Sequence, residues 1–399
     1  MNLLVITYWS FNDALVRLNV LPYLRIIQEV LPQNSRIYLV TLESDPNALV
    51  EAEVERGIRR VPLPYFRFGW RAVAYWLFAF PKLWWLVVRQ NVRSIHCWCT
   101  PAGAIGYWIA LFTGRKLIVD SYEPHAESMV EAKVWRPGSL AFRLLFELER
   151  RQTRKAVHLI SATAGMIRYC NEKYGIQPKS FLVRPACVDT NRFYPRAKDF
   201  NLAPRLAQPE KIVCVYAGKF GGIYLDVEVF HFFRIAADYW GDRFQVLILS
   251  THQSSDVKAW CNQAGIDPSI IHLQAVAPEE MPRWLSLADF ALTPVKPIPT
   301  KRYCTPIKDG EYWAMGLPVV ITDQISDDSE IILKHRAGYV LKSLTQIEYQ
   351  AAVARIDSLL HLPRIVRQTA IRQLAFTYRS YQIARDVYHT VYHSASMVT

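Results

Sequence analysis

Apolar residues in this chain fall into two patterns that alternate along its length. Short apolar runs predict strands at Leu3–Thr7, Arg36–Thr41, Ser94–Trp98, Lys116–Asp120, His158–Ser161 and Phe181–Arg184. Between them, apolar positions at helical spacing predict helices near 14–29, 72–90, 102–113, 138–156 and 162–174. A second series begins at Lys211–Ala217 and continues with strands at Phe244–Ser250, Ile271–Ala275, Phe290–Thr293, Pro318–Thr322 and Tyr339–Leu341. Helices are expected there over 225–240, 254–263, 279–288, 305–315, 327–335 and 347–359. Such alternation is the mark of an α/β fold with parallel sheets covered by helices on both faces. The proline-bearing stretch from Pro195 to Pro209 reads as a linker. It divides the chain into domains at 1–200 and 201–375, followed by a terminal segment 376–399 whose aromatic-rich part, Phe376–His393, predicts a helix. Two doubly wound sheets are expected to leave a ligand cleft at the carboxyl ends of their strands.

The length of 399 residues suits two ordinary domains, and with 51% apolar and 21% charged residues large cores, not disorder, are expected. The seven cysteines form no framework, and Cys97-Trp98-Cys99 lacks the second pair of a zinc site, so a reducing cytoplasm is expected. Met1–Thr7 reads as a strand, with no basic leader of a signal peptide. The net charge of +12 is uneven. Residues 1–200 hold 27 Lys and Arg against 16 Asp and Glu, while 201–399 hold 20 against 19. A basic half points to an anionic surface, either nucleic acid or a bilayer.

The stretch from Arg67 to Arg89 is dense in Trp and Phe, is flanked by Arg67, Arg71, Arg89 and Arg93, and is interrupted by Pro81-Lys82. Its uninterrupted apolar run is too short to span a bilayer. It fits an element lying in the headgroup layer, and equally one or two core helices. No nucleic-acid-binding signature accompanies the charge. The expectation is a cytoplasmic protein, peripheral on the inner face of the cell membrane, with an anionic membrane surface as partner and no nucleic acid.

The chemistry concentrates in four loops. In Thr305-Pro306-Ile307-Lys308-Asp309-Gly310-Glu311, Thr305 reads as an N-cap and Pro306 as the first helical residue. The helix start and Lys308 together make a pyrophosphate site. Glu311, near the same face, can accept hydrogen bonds from ribose hydroxyls. That pairing suggests a nucleotide diphosphate; an ordinary capped helix with a solvated Lys and Glu fits the same spacing. After strand Lys211–Ala217, the loop with Gly218, Lys219, Gly221 and Gly222 can approach phosphate closely, or can be a plain turn. Asp120–Glu127 places Glu123 and His125 at a sheet's carboxyl edge, either at a cleft or facing water. Tyr8–Asp13, with Trp9, Asn12 and Asp13, follows the first strand.

Residues 305–320 resemble the donor-binding motif Pro-x-Lys-x-x-Glu-Tyr-x-Ala-x-Gly-x-Pro-Val of retaining glycosyltransferases of the GT-B fold, those of glycosyltransferase family 4. Gly218-Lys219 resembles that family's Gly-Arg or Gly-Lys loop, with Tyr224 or its neighbours where a second basic residue is frequent. Arg184–Pro195, Ile160-Ser161 and Met281–Asp289 resemble further family segments in the same order, so the likeness spans nearly the whole chain. One departure is clear: many members carry a glutamate eight positions before Glu311, and here that position is Tyr303. The family's paired glycines are also missing from Tyr8–Asp13.

The resemblance implies two Rossmann-like domains facing a central cleft, with the terminal helix crossing back onto the first. It implies transfer of a sugar, with retention, from a nucleotide diphosphate sugar to an acceptor hydroxyl, and the basic, aromatic first domain suggests a lipid-linked or polysaccharide acceptor. Gly218, Lys219, Gly221, Gly222, Tyr303, Thr305, Lys308 and Glu311 would hold the donor. His125 and Glu123 would be catalytic, and Trp9, Asn12 and Asp13 would meet the acceptor. No Asp-x-Asp-like motif stands in the right context, so neither metal nor cofactor is expected beyond the co-substrate. Two alternatives stay open: a nucleotide-sugar epimerase of this fold, and a non-catalytic membrane-bound scaffold, which Tyr303 favours.

Overall fold

A computed structural model describes residues 1–13, 15–66 and 69–393, with Val73 as backbone alone. Arg67, the expected helix start at 14 and positions 394–399 lie outside the described residues. The chain forms two units, one of Met1–Pro185 with Gln382 onward and one of Ala186–Tyr381.

The first unit holds β1 (Asn2–Ile6), β2 (Ile37–Glu43), β3 (Ala52–Glu55), β4 (Ile58–Pro64), β5 (Val92–Trp98), β6 (Lys116–Asp120), β7 (His158–Ser161) and β8 (Phe181–Val183). Their order is β3-β4-β2-β1-β5-β6-β7-β8, parallel except for β3 against β4. The chain winds outward in both directions from the β1–β5 junction, which makes the loop after β1 a switch point. β3 and β4 escaped the sequence pattern because arginines and prolines mask the alternation in Ile58-Arg-Arg-Val-Pro-Leu-Pro64. Arg60 is buried all the same, 2.8 Å from Glu43 on β2.

The second unit holds β9 (Ile212–Ala217), β10 (Phe244–Leu249), β11 (Ile271–Gln274), β12 (Phe290–Thr293), β13 (Val319–Thr322) and β14 (Gly338–Leu341). All are parallel, in the order β11-β10-β9-β12-β13-β14. Here the switch point lies between β9 and β12, so the loop after β9 opens at the usual ligand position of such sheets.

The unit boundaries differ from those expected at 200 and 375. The stretch from Pro195 to Pro209 is no free linker: Ala203, Leu206 and Ala207 join the second core, and just before it Arg372 binds the carbonyls of Thr190 and Phe193. Nor is the tail one helix from Phe376. A helix over Arg364–Arg379 ends at extended Ser380, and a second runs from Tyr381 to His393. Ser380 bridges to Val188, whose N–H donates to the Arg379 carbonyl, and this pairing takes backbone that a continuous helix would use. The last helix buries Ala384, Val387, Tyr388, Val391 and Tyr392 in the first unit.

That helix is fastened by a buried polar cluster. The Tyr388 hydroxyl donates to Asp120 at 2.7 Å, and Tyr392 shares a 2.7 Å hydrogen bond with His96. Arg184 donates to Asp120 at 2.7 Å and lies 4.0 Å over the Tyr23 ring. Burial alone would raise the Asp120 pKa; Arg184 and His96 overcome it and hold the carboxyl well below its usual range. Among the described residues no helix is long and apolar enough to cross a membrane.

Candidate active site

The donor-motif helix runs from Ile307 to Ala314. It starts one residue later than its sequence suggests, because Pro306 keeps an extended ψ of 117°. Thr305 therefore does not cap it, and its hydroxyl instead lies 3.3 Å from that of Ser326. The far end is stopped by Gly316, at φ +74°, where a Cβ would stand 2.8 Å from the Gln368 backbone. Arg372 caps the Ala314 carbonyl at 2.7 Å.

Lys308, the second residue of this helix, is buried. Its Nζ lies 4.1 Å from the Tyr224 ring centre and 4.6 Å from that of Tyr216. It has no hydrogen-bond partner among the described residues. Aromatic faces compensate only part of an ammonium's lost hydration. Burial pushes the Lys308 pKa down to about 8, although Asp309 and Glu311 pull it back. Glu311 is half-buried, and burial pushes its carboxyl up to about 7 against the pull of Arg192 and then Lys308. Buried Asp309 accepts from the Thr293 hydroxyl, and burial raises its pKa against Thr293, Arg379 and Lys308. Gly310 leaves room for Arg379, whose Cγ would stand 3.2 Å from an added Cβ.

The glycine-rich loop after β9 is pinned to its surroundings. The Ala217 N–H donates to the Tyr312 hydroxyl at 2.9 Å, that of Gly218 to the Leu249 carbonyl at 3.0 Å, and that of Phe220 to His252 Nε2 at 2.9 Å. Gly221 and Gly222 both have positive φ, +76° and +63°, which side chains disfavour. A Cβ on Gly218 would stand 2.8 Å from the Lys308 amine. Gly218 thus lies against Lys308 at the switch point, and Gly221 and Gly222 follow in the same loop. Lys219 is exposed, and its carbonyl accepts the Tyr216 hydroxyl. Tyr303 is half-buried at the end of the short turn Pro299–Tyr303. Tyr224 follows the glycines in the loop after β9 and meets the Lys308 ammonium with its ring.

In the first unit, the loop after β6 carries Glu123 and His125, whose carboxylate and Nδ1 are 3.5 Å apart and partly exposed. A helix absent from the sequence expectation, His125–Glu131, follows at once. Its Ala126 N–H donates to buried Glu149 at 2.9 Å, and Tyr174 donates to the other oxygen. Burial raises the Glu149 carboxyl to about 8, with Glu123 and Glu127 adding to the rise. The loop after β1 is held likewise: Ser10 and the Phe11 N–H both donate to Glu43, and Trp9 stays half-buried. Asn12 and Asp13 are exposed, and Asp13 caps the next turn through the Leu15 N–H at 2.8 Å.

Sequence reasoning missed Glu43, Glu149, Arg192 and His252, single polar residues whose neighbours are remote in the chain. Tyr312 was quoted within the motif but given no role. Among the described residues no His, Cys, Asp and Glu cluster could hold a metal ion.

Residues 212–360 match the profile of the family described as glycosyl transferases group 1. No curated protein matches the chain. Among solved structures the chain is similar to sucrose-phosphate synthase from Thermosynechococcus elongatus, with TM-score 0.76, 14% identity and 100% of both chains covered. It is also similar to WaaG, a glycosyltransferase involved in lipopolysaccharide biosynthesis (TM-score 0.70, 14% identity, 98% of this chain and 99% of that one). A third is Anabaena HepE in complex with UDP (TM-score 0.71, 12% identity, 98% and 99%). The fold is therefore GT-B, two Rossmann-like units. Residues 212–360 of the second unit thus carry a group 1 glycosyltransferase domain.

Proposed function

We propose that this enzyme moves a sugar from a nucleotide diphosphate sugar to a hydroxyl of a lipid-linked or saccharide acceptor, with retention and without a metal. The observation that carries the reading is the buried, unpartnered Lys308 ammonium beside the glycine-rich loop. Negative charge grows on the leaving diphosphate in the transition state, so a cation already in place lowers the barrier. The first amides of the Ile307–Ala314 helix and exposed Lys219 add to that field. Glu311 accepts from the ribose, and Tyr303 stands on the sugar side in place of the family glutamate. Thr305 lines the site without capping the helix. His125 and Glu123 bind the sugar or the acceptor hydroxyl, and Trp9, Asn12 and Asp13 meet the acceptor. No nucleophile pair argues for double displacement, so retention is assigned to a same-face route.

An anionic cytoplasmic membrane surface is proposed as a partner, with no part for nucleic acid. In support, the helix Trp70–Arg89 runs through Pro81 and buries Ala79, Leu83 and Val87 while exposing Trp70 (76%), Leu77, Phe78 (79%) and Trp85. Arg71, Lys82 and Arg89 border this face, and Phe112 of a neighbouring helix extends it through contact with Phe80.

Thermal stability measured with UDP, GDP and ADP tests the donor site; UDP comes first because HepE was solved with it. One nucleotide should stabilise the protein, and Glu311→Ala should remove the effect. With phosphatidylglycerol vesicles the protein should sediment, and Phe78→Glu should not. No stabilisation by any nucleotide, with or without vesicles, would favour the scaffold reading.

A further inference from the structure

The loop proposed to take the donor phosphates depends on a side chain from a different strand connection. His252 lies after β10, next to β9 in the sheet. Its Nε2 is 2.9 Å from the Phe220 amide, at the centre of Gly218-Lys219-Phe220-Gly221-Gly222. An amide N–H can only donate, so Nε2 must carry a lone pair and the ring hydrogen must sit on Nδ1. Nδ1 looks towards Asp256 Oδ2, 3.9 Å away on the helix Ser254–Ala264. The ring is held between two others: Phe220 at 5.6 Å and Trp260 at 5.3 Å, the latter nearly perpendicular.

We propose that His252, as the Nδ1-protonated imidazole, is a positioning residue for diphosphate binding: it fixes the Lys219–Phe220 peptide and so the glycine-rich loop around Lys308. This rests on the donor-site reading above. The physical reason is the loop's own freedom. Gly218, Gly221 and Gly222 each have unusually wide backbone choice, and a loop ordered only on binding would spend part of the binding energy on its ordering. One hydrogen bond to the middle residue, with Phe220 buried against Trp260, restricts that choice beforehand. His252 touches no reacting atom on this account.

Two substitutions in the full chain separate this from simple packing. His252→Phe keeps an aromatic ring between Phe220 and Trp260 but removes the acceptor; His252→Gln restores an oxygen acceptor. Calorimetric titration with UDP, GDP and ADP should show the preferred diphosphate binding about tenfold more weakly to His252→Phe, with most of the loss recovered in His252→Gln. The matching nucleoside should bind all three proteins alike. Equal diphosphate affinity for wild type and His252→Phe overturns the proposal, as does an equal loss for the nucleoside. Lys308→Met is the control: if wild type and Lys308→Met bind diphosphate equally, or wild type binds none, the donor-site reading fails and the proposal falls with it. Ring-nitrogen NMR on histidine-labelled wild type is independent of any nucleotide. It should find hydrogen on Nδ1 of His252, and hydrogen on Nε2 would refute the assignment.

Discussion

Both units bury a strong cation near the carboxyl ends of their strands, yet they surround it differently. Arg184 in the first unit meets Asp120 at 2.7 Å, and the same carboxylate takes Tyr388. Lys308 in the second unit meets two aromatic faces and no hydrogen-bonding group among the described residues. A buried charge with its counter-charge in the fold is architecture, since removing either partner strands the other. Lys308 has only the carboxylates of its own helix, Asp309 and Glu311, to offset its burial, and it is the cation that the proposed diphosphate would meet. The contrast extends to the loops. Glu43 and Glu149 are carboxylates buried under backbone amides, and each spends its capacity holding a loop that carries the more exposed Asn12 or His125. In the second unit the site faces a cation that the protein leaves uncovered by hydrogen bonds.

Removing each cation tests the contrast most directly. Arg184→Met leaves Asp120 buried beside the terminal helix and should cost about 4 kcal/mol of first-unit stability, read by urea unfolding. Lys308→Met should act in the opposite sense on the free protein, raising or preserving its melting temperature because an uncompensated buried ammonium disappears. Its cost should fall on the ligand: about 3 kcal/mol of diphosphate affinity by calorimetry, roughly a hundredfold. A Lys308→Met protein that unfolds easily yet binds nucleotide normally would reverse the assignment of the two cations.

Smaller effects should appear with pH. Lys308 has a depressed pKa of about 8 when free, so above that pH binding a diphosphate must first protonate it and affinity should fall. Glu311, raised to about 7, loses its acceptor charge below that value, so affinity should fall there too. Calorimetry across pH 6 to pH 9 should give a maximum between these limits, with the acid limb flattened in Glu311→Gln. In the first unit the Glu149 pKa is raised to about 8, above an unfolded value of roughly 4.3. Its folded form binds the extra proton, so its contribution to stability is full below roughly pH 4.3 and is lost as pH rises towards 8. Glu149→Gln should reduce that loss in pH-dependent melting curves.

Much of this was legible from local pattern. The alternating strands and helices, the Gly316 stop and the glycine-rich loop each depend on residues a few positions apart. So does the placing of Lys308 and Glu311 on one helix. Where local signs conflicted, the reading slipped. Arg60 and Pro62 hid β4, Pro306 delayed the donor helix, and the tail was read as one helix because Ser380 carries no strong breaking signal of its own.

Partnership lay beyond local pattern. Asp120 and Arg184 are 64 positions apart, Asp120 and Tyr388 are 268 apart, and Phe220 and His252 are 32 apart. Helical and strand spacing are set by backbone geometry and repeat wherever the residue types allow. Whether a lysine is solvated or sealed under Tyr216 and Tyr224 depends on which strands lie side by side and on what the neighbouring loop leaves empty. The chain's pattern could name Lys308; only folding sealed its ammonium under Tyr216 and Tyr224 without a hydrogen bond, with Asp309 and Glu311 the carboxylates acting on it.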